Sequence, residues 1–266
     1  MQQAEDFRAE SLALAMLMAP LTEADFTLPT LFKQWTLNDI LGHLHLFNVA
    51  ALRTLESADA FEVLFAPVRQ GLAQGRPMLE TQGPWLDGLA GRALFETWRA
   101  GCETVADTYA SADPKRRVKW GGPDMSAQSC ITARQMETWA HGQAVFDRLG
   151  IERVEHDRIR NIVHLGVSTF GWAFVVRGLP VPQPAPQVRL VAPSGAGWTW
   201  NDPHPGHAVH GTAVDFARVV TQVRNVADTA LVAEGEPATR WLAMAQCFAG
   251  PPETPPAPGA RHVWRG

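Results

Sequence analysis

Apolar residues recur at helical spacing through the first two thirds of the chain, so the pattern predicts a run of amphipathic helices. Phe7, Leu12, Leu14, Leu17 and Met18 mark a first helix that Pro20 ends. A second has a sharper start, because Thr36 and Asp39 have capping-box spacing, with Trp35 and Ile40 placed as a hydrophobic staple. It runs on through His43, Phe47 and Ala50. A short helical piece at 60–72, a Gly/Pro-rich bend at Gln82–Pro84 and a helix over Ala90–Tyr109 follow. Gly121-Gly122-Pro123-Asp124 breaks the chain, and the periodicity resumes from Ser126 to Leu149, with Gly150 as C-terminal stop. A last helix, His156–Arg177, is apolar around most of its circumference and is expected to be buried.

The pattern then changes. Gly178 to Pro186 carries four prolines and reads as a stiff, extended linker, which places a domain boundary there. Beyond it, Val188–Val191 and Trp198–Trp200 alternate as strands, and His207–His210 is expected to add a third. Helices at Thr212–Val223 and Pro237–Phe248 flank a strand at Thr229–Val232. The expectation is a helical domain over 1–178, a small α+β domain over 187–250 and a flexible Pro-rich tail over 251–266.

Composition narrows the function. A chain of 266 residues, 46% apolar, can bury a sizeable core, and a net charge of −4 with no Lys/Arg-rich run argues against a nucleic-acid partner. The polar, acidic N-terminus lacks the layout of a secretion signal, and the apolar stretch Leu12–Leu21 is too short to span a bilayer. Cys102, Cys130 and Cys247 are odd in number and far apart, as expected of inert buried thiols in a cytoplasmic protein. No Gly-x-Ser-x-Gly elbow, Walker-type loop or Gly-x-Gly-x-x-Gly fingerprint is present.

Candidate chemistry gathers on two helices. Glu137 and His141 stand at i and i+4, on one helical face and close enough to share an ion, although such a pair arises often by chance. His43 shares a face with Ile40 and Phe47 and should point inward, whereas His45 faces the other way. Two histidines and one glutamate would leave a coordination position open for water or substrate. Asp39 either orients His43 or serves the cap, and the cap is favoured. Arg134, three residues before Glu137, either braces it, receives an anionic substrate or is an ordinary helix pair. His164 is expected to be structural. His204, His207 and His210 lack a carboxylate companion in sequence, and the tryptophans, Trp35 and Trp120 among them, read as core fillers with some left to line a pocket.

Two segments together, Trp35 to Leu44 and Met136 to Gln143, resemble the metal-binding signature of the DinB-like superfamily, in its mycothiol-dependent maleylpyruvate isomerase branch, nearest to a subgroup described as metal-binding. The resemblance extends to Gly211–Phe216 and Trp241–Gln246, which look like the branch's small C-terminal domain. It implies a mainly α fold, a four-helix bundle followed by an α+β domain. His43, Glu137 and His141 would be the ligands of a divalent metal, zinc by association, and Arg224 would assist at the active site. It further implies a small-molecule substrate and a low-molecular-weight thiol such as mycothiol as partners. The leading expectation is an isomerase or S-transferase in which the metal activates the thiol. A metal-dependent hydrolase and a non-catalytic metal- or ligand-binding protein are the alternatives.

Overall fold

A computed structural model describes residues 1–264 and separates them into two compact units, 1–148 and the described residues from 149 onward. In the first, α1 (Gln2–Met18), α2 (Leu37–Glu56), α5 (Gly91–Ser111) and α6 (Ala127–Arg148) form a four-helix bundle, in which α1 packs on α5 and α6, and α2 on the same two. Their inward stripes supply the core: Phe7 and Met18, Leu41 and Leu44, Trp98 and Tyr109, Ile131 and Trp139 are all fully buried. The helices α3 (Ala58–Ala73) and α4 (Met78–Leu86) pack on α2 and on each other. A two-residue pairing of β1 (Arg117–Val118) with β2 (Met125–Ser126) closes the turn before α6.

The capping box forms as the sequence predicts. Asp39 N donates to Thr36 Oγ1 at 3.1 Å and Thr36 N donates back to Asp39 Oδ2 at 2.9 Å, which fixes where α2 begins. The expected bend at Gln82–Pro84 is instead part of α4. A helix with an internal proline loses a backbone bond, and here packing against α2 and α3 offsets that loss.

The second unit begins earlier than the composition suggests. The Pro-rich stretch expected as the boundary lies inside it, because residues 160–168 after α6 pack on the helix at 213–220. The single helix expected over 156–177 is divided into α7 (Arg160–Ser168) and α8 (Phe170–Val175). Thr169 divides it by donating its hydroxyl back to Leu165 O (2.8 Å) and Gly166 O (3.1 Å), a competition with the backbone that bends helices. Strands β3 (Gln187–Val191), β4 (Gly197–Trp200), β5 (Ala208–Thr212) and β6 (Val232–Glu234) form one sheet in the order β4-β3-β5-β6, with β3 and β5 parallel and the other pairs antiparallel. Between β5 and β6 lies α9 (Ala213–Val220), which packs on α7 and on the sheet, and α10 (Glu236–Leu242) packs on β6.

Three expectations shift here. The last strand lies later than Thr229–Val232, because a turn at Val226–Asp228 claims the Thr229 hydroxyl. The final helix stops at Leu242 instead of Phe248, since Cys247 N bonds Val220 O rather than a helical carbonyl. The tail has no regular structure but is tied down: Gln246 Nε2 donates to Pro251 O, Asn225 Nδ2 to Pro256 O and Arg261 Nη1 to Gln222 O. Residues 265–266 of the expected flexible tail lie outside the described residues.

Candidate metal centre

The bundle brings the three expected ligands together. Helix α6 presents Glu137 and His141 from successive turns, and α2 supplies His43 opposite them. His141 Nε2 lies 3.1 Å from Glu137 Oε2 and His43 Nε2 3.6 Å from the same oxygen. One candidate ligand atom from each residue lies within 4.8 Å of the others, and no second such group occurs among the described residues. Four ligands about 2.0–2.1 Å from a tetrahedral ion stand roughly 3.4 Å apart, so the two measured separations match the edges of such a polyhedron. The residues therefore fit a divalent ion.

Their protonation favours it as well. Burial pushes His43 down to about 4, against the opposing pull of its hydrogen bond to Glu137, so the imidazole is neutral at pH 7. For Glu137 burial acts upward, but the hydrogen bonds from His141 and His43 outweigh it and hold the carboxyl well below its ordinary range. The pair cannot share full mutual charge, and the self-consistent state is a carboxylate facing a neutral His43.

Aromatic rings hold the imidazoles. Trp35 stacks parallel on His141 at 5.8 Å and meets His43 edge-on at 5.4 Å, Phe32 meets His141 at 5.0 Å, and Phe47 lies 4.7 Å from His43. This packing substitutes for the hydrogen bond that usually orients a ligand histidine, since His43 Nδ1 is buried without a partner. Phe32 and Trp35 converge because the chain between them makes a tight turn: Trp35 N donates to Phe32 O at 2.9 Å, and Lys33 (φ 50°) and Gln34 (φ 59°) are both left-handed. A turn with two left-handed central residues prefers glycine or asparagine. Replacing Gln34 with Gly is accordingly expected to raise stability by about 0.5–1 kcal/mol in chemical denaturation with bound metal unchanged; a loss of stability would show the turn to be unstrained.

Other expectations resolve differently. Asp39 is engaged in the cap and is not available to His43. Arg134 is buried at 1% exposure and cannot reach solvent to receive a substrate; Nε donates to Asn48 Oδ1 at 3.1 Å. Arg224 is buried in the second unit, just beyond α9, with Nη1 donating to Val223 O. His164 is exposed rather than in a core, accepting from Trp200 Nε1 at 3.2 Å. His210 does have a carboxylate companion, Glu234 of the neighbouring strand at 3.1 Å, which sequence distance concealed. Burial drives the Cys102 thiol up to about 12 and Cys130 to about 11, and Cys247 is buried too, so Cys102 and Cys130 are not nucleophiles at neutral pH.

The sequence reading missed Phe32 and Asn48, took Phe47 only as a helix-face residue, and took Trp35 as a staple and one of several tryptophans filling the core or lining a pocket. Phe47 stands one turn after His43, a signal that was present; Phe32 lies in a loop and gave none.

Comparisons with known proteins give the family and the fold. Residues 7–146 match the family described as mycothiol maleylpyruvate isomerase N-terminal domain, a span that contains His43, Glu137 and His141 but not Arg224. Two proteins of Mycobacterium tuberculosis, from strains CDC 1551 / Oshkosh and ATCC 25618 / H37Rv and both designated uncharacterized, are each 37% identical over 247 residues, 93% of this chain and 95% of theirs. Crystal structures of the mycothiol-dependent maleylpyruvate isomerase, as a point mutant and without that substitution, share the fold at 14% identity with TM-scores of 0.53 and 0.51, covering 82% of this chain and 87% of theirs.

Proposed function

The chain belongs to the family of the mycothiol maleylpyruvate isomerase N-terminal domain, and from that premise we propose that it is a metal- and thiol-dependent isomerase or S-transferase whose ion, zinc by family association, is held by His43, Glu137 and His141. The observation that carries this reading is the convergence of two imidazoles and one carboxylate from two helices within 4.8 Å. A divalent ion bound by three protein ligands keeps one position open and supplies Lewis acidity there, which lowers the pKa of a thiol at that position.

The chain's own residues provide the rest. Glu137 is already a carboxylate, and the neutral His43 need lose no net proton, its single ring proton sitting on Nδ1 when Nε2 presents its lone pair to an ion. Phe32, Trp35 and Phe47 pack against the imidazoles and hold their rings in place. Because Cys102 and Cys130 stay protonated, the nucleophilic sulfur is brought by a small thiol of the mycothiol type. Such a thiol, when bound, would supply a sulfur nucleophile able to add reversibly to a conjugated double bond, for isomerisation or for transfer. Arg224 is assigned to the substrate's carboxylate on the family resemblance alone, and Arg134 to a role behind the centre. Hydrolysis is disfavoured, since Asp39, the one spare acid on the ligand helices considered for a general base, is committed to its cap.

Metal analysis combined with a thermal-shift screen of small thiols tests the proposal. One ion per chain is expected, together with a thiol that stabilises the loaded protein by about 2.7 kcal/mol at a hundredfold excess over Kd and leaves the chelated protein unchanged. Equal stabilisation with and without chelator would sever thiol from metal.

A further inference from the structure

Arg134 is sealed inside the bundle, and its hydrogen-bond partners are neutral. Nε donates to Asn48 Oδ1 at 3.1 Å, Nη2 lies 3.5 Å from Leu44 O, and the guanidinium carbon sits 5.7 Å over the Phe47 ring. Asn48, itself 1% exposed, is fixed in turn by donating Nδ2 to Cys102 Sγ at 3.3 Å. A buried cation among neutral partners is costly, and a core of hydrophobic residues would serve packing better. The charge is also placed where it matters: Glu137 follows one helical turn later, Leu44 adjoins His43, and Phe47 touches both the guanidinium and the His43 ring. Electrostatic coupling runs from Arg134 to Glu137 and to His43.

We propose that Arg134, locked by Asn48, is a positioning residue whose fixed charge biases the open position of the centre toward a ligand that binds as an anion. The inference rests on the metal reading above and specifies the class of ligand: thiolates, carboxylates and small inorganic anions, in preference to neutral donors. The physical ground is charge balance. An imidazole that binds an ion through its lone pair adds no charge, and Arg134 offsets the carboxylate of Glu137. An ion at the centre then keeps nearly its full divalent field toward the open position, in a setting where water screens little.

Cobalt(II)-loaded protein supplies a readout apart from turnover, because its visible spectrum changes when the open position is filled. Azide serves as the anionic probe and imidazole as the neutral one. Arg134→Met is expected to weaken azide on the order of tenfold while leaving imidazole affinity unchanged, and Arg134→Lys to restore azide binding. Asn48→Asp, nearly isosteric, keeps the arginine but cancels its charge and should weaken azide in the same selective way; it carries the test if Arg134→Met does not fold. Unchanged azide affinity in the charge-cancelling variants, or a parallel loss of azide and imidazole, would overturn the inference while leaving the metal assignment intact. Failure of the native chain to take up one cobalt ion would overturn both.

Discussion

Replacing His43 with Ala is expected to take bound divalent metal from one ion per chain to none after dialysis, and to weaken affinity by more than the roughly 10–100-fold that loss of an outer partner costs. His45→Ala is the matched control. Both histidines are buried on α2, but the His45 ring lies against Trp85 at 5.2 Å and takes no part in the cluster. The pair of variants separates a ligand effect from the general cost of truncating a buried ring. Acid sharpens the same point. A ligand imidazole must be deprotonated, and burial holds His43 down to about 4; proton competition at this residue therefore begins near pH 4 rather than near the ordinary 6.5. A variant that kept one tightly bound ion without His43 would place the metal elsewhere.

The second large effect is structural. Gly235 precedes α10 with φ 84° and ψ 160°, a conformation open essentially to glycine alone. A Cβ there would stand 1.9 Å from the backbone oxygen of Gly206, which cannot yield as a side-chain tip would. Gly235→Ala should destabilise the second unit by about 3–5 kcal/mol, or leave it insoluble. Gly195, with φ 87° and nothing within 4 Å of an added Cβ, supplies the comparison: Gly195→Ala bears only the conformational cost, about 1 kcal/mol. Equal denaturation midpoints for the two variants would mean that the contact with Gly206 relaxes.

How much of this was legible depended on whether a signal was local. The capping box at Thr36 forms as read, and Glu137 and His141 meet on one helical face as their spacing predicts. His43 was legible as an inward residue, but only a second segment resembling a known family tied it to the other two. Where tertiary contacts decide, the sequence was silent or misleading. Pro84 looked like a breaker yet lies within α4, the single helix expected over 156–177 is divided at Thr169, and the prolines of 178–186 suggested a boundary that lies nearer residue 149. His210 and Glu234 meet only because β5 pairs with β6. Phe32 reaches the centre through a left-handed turn built from Lys33 and Gln34, residues that do not advertise one.

The division of the ligands between two helices also sets an order of assembly. Glu137 and His141 come together wherever α6 is helical, whether or not the bundle has closed, whereas His43 joins them only once α2 has docked. If the three residues hold an ion as proposed, a nascent or partly unfolded chain would hold it loosely by two side chains and tight retention would arrive with tertiary closure. A competing chelator would then strip the open chain and spare the closed one, making metal affinity a gauge of how completely the bundle has folded.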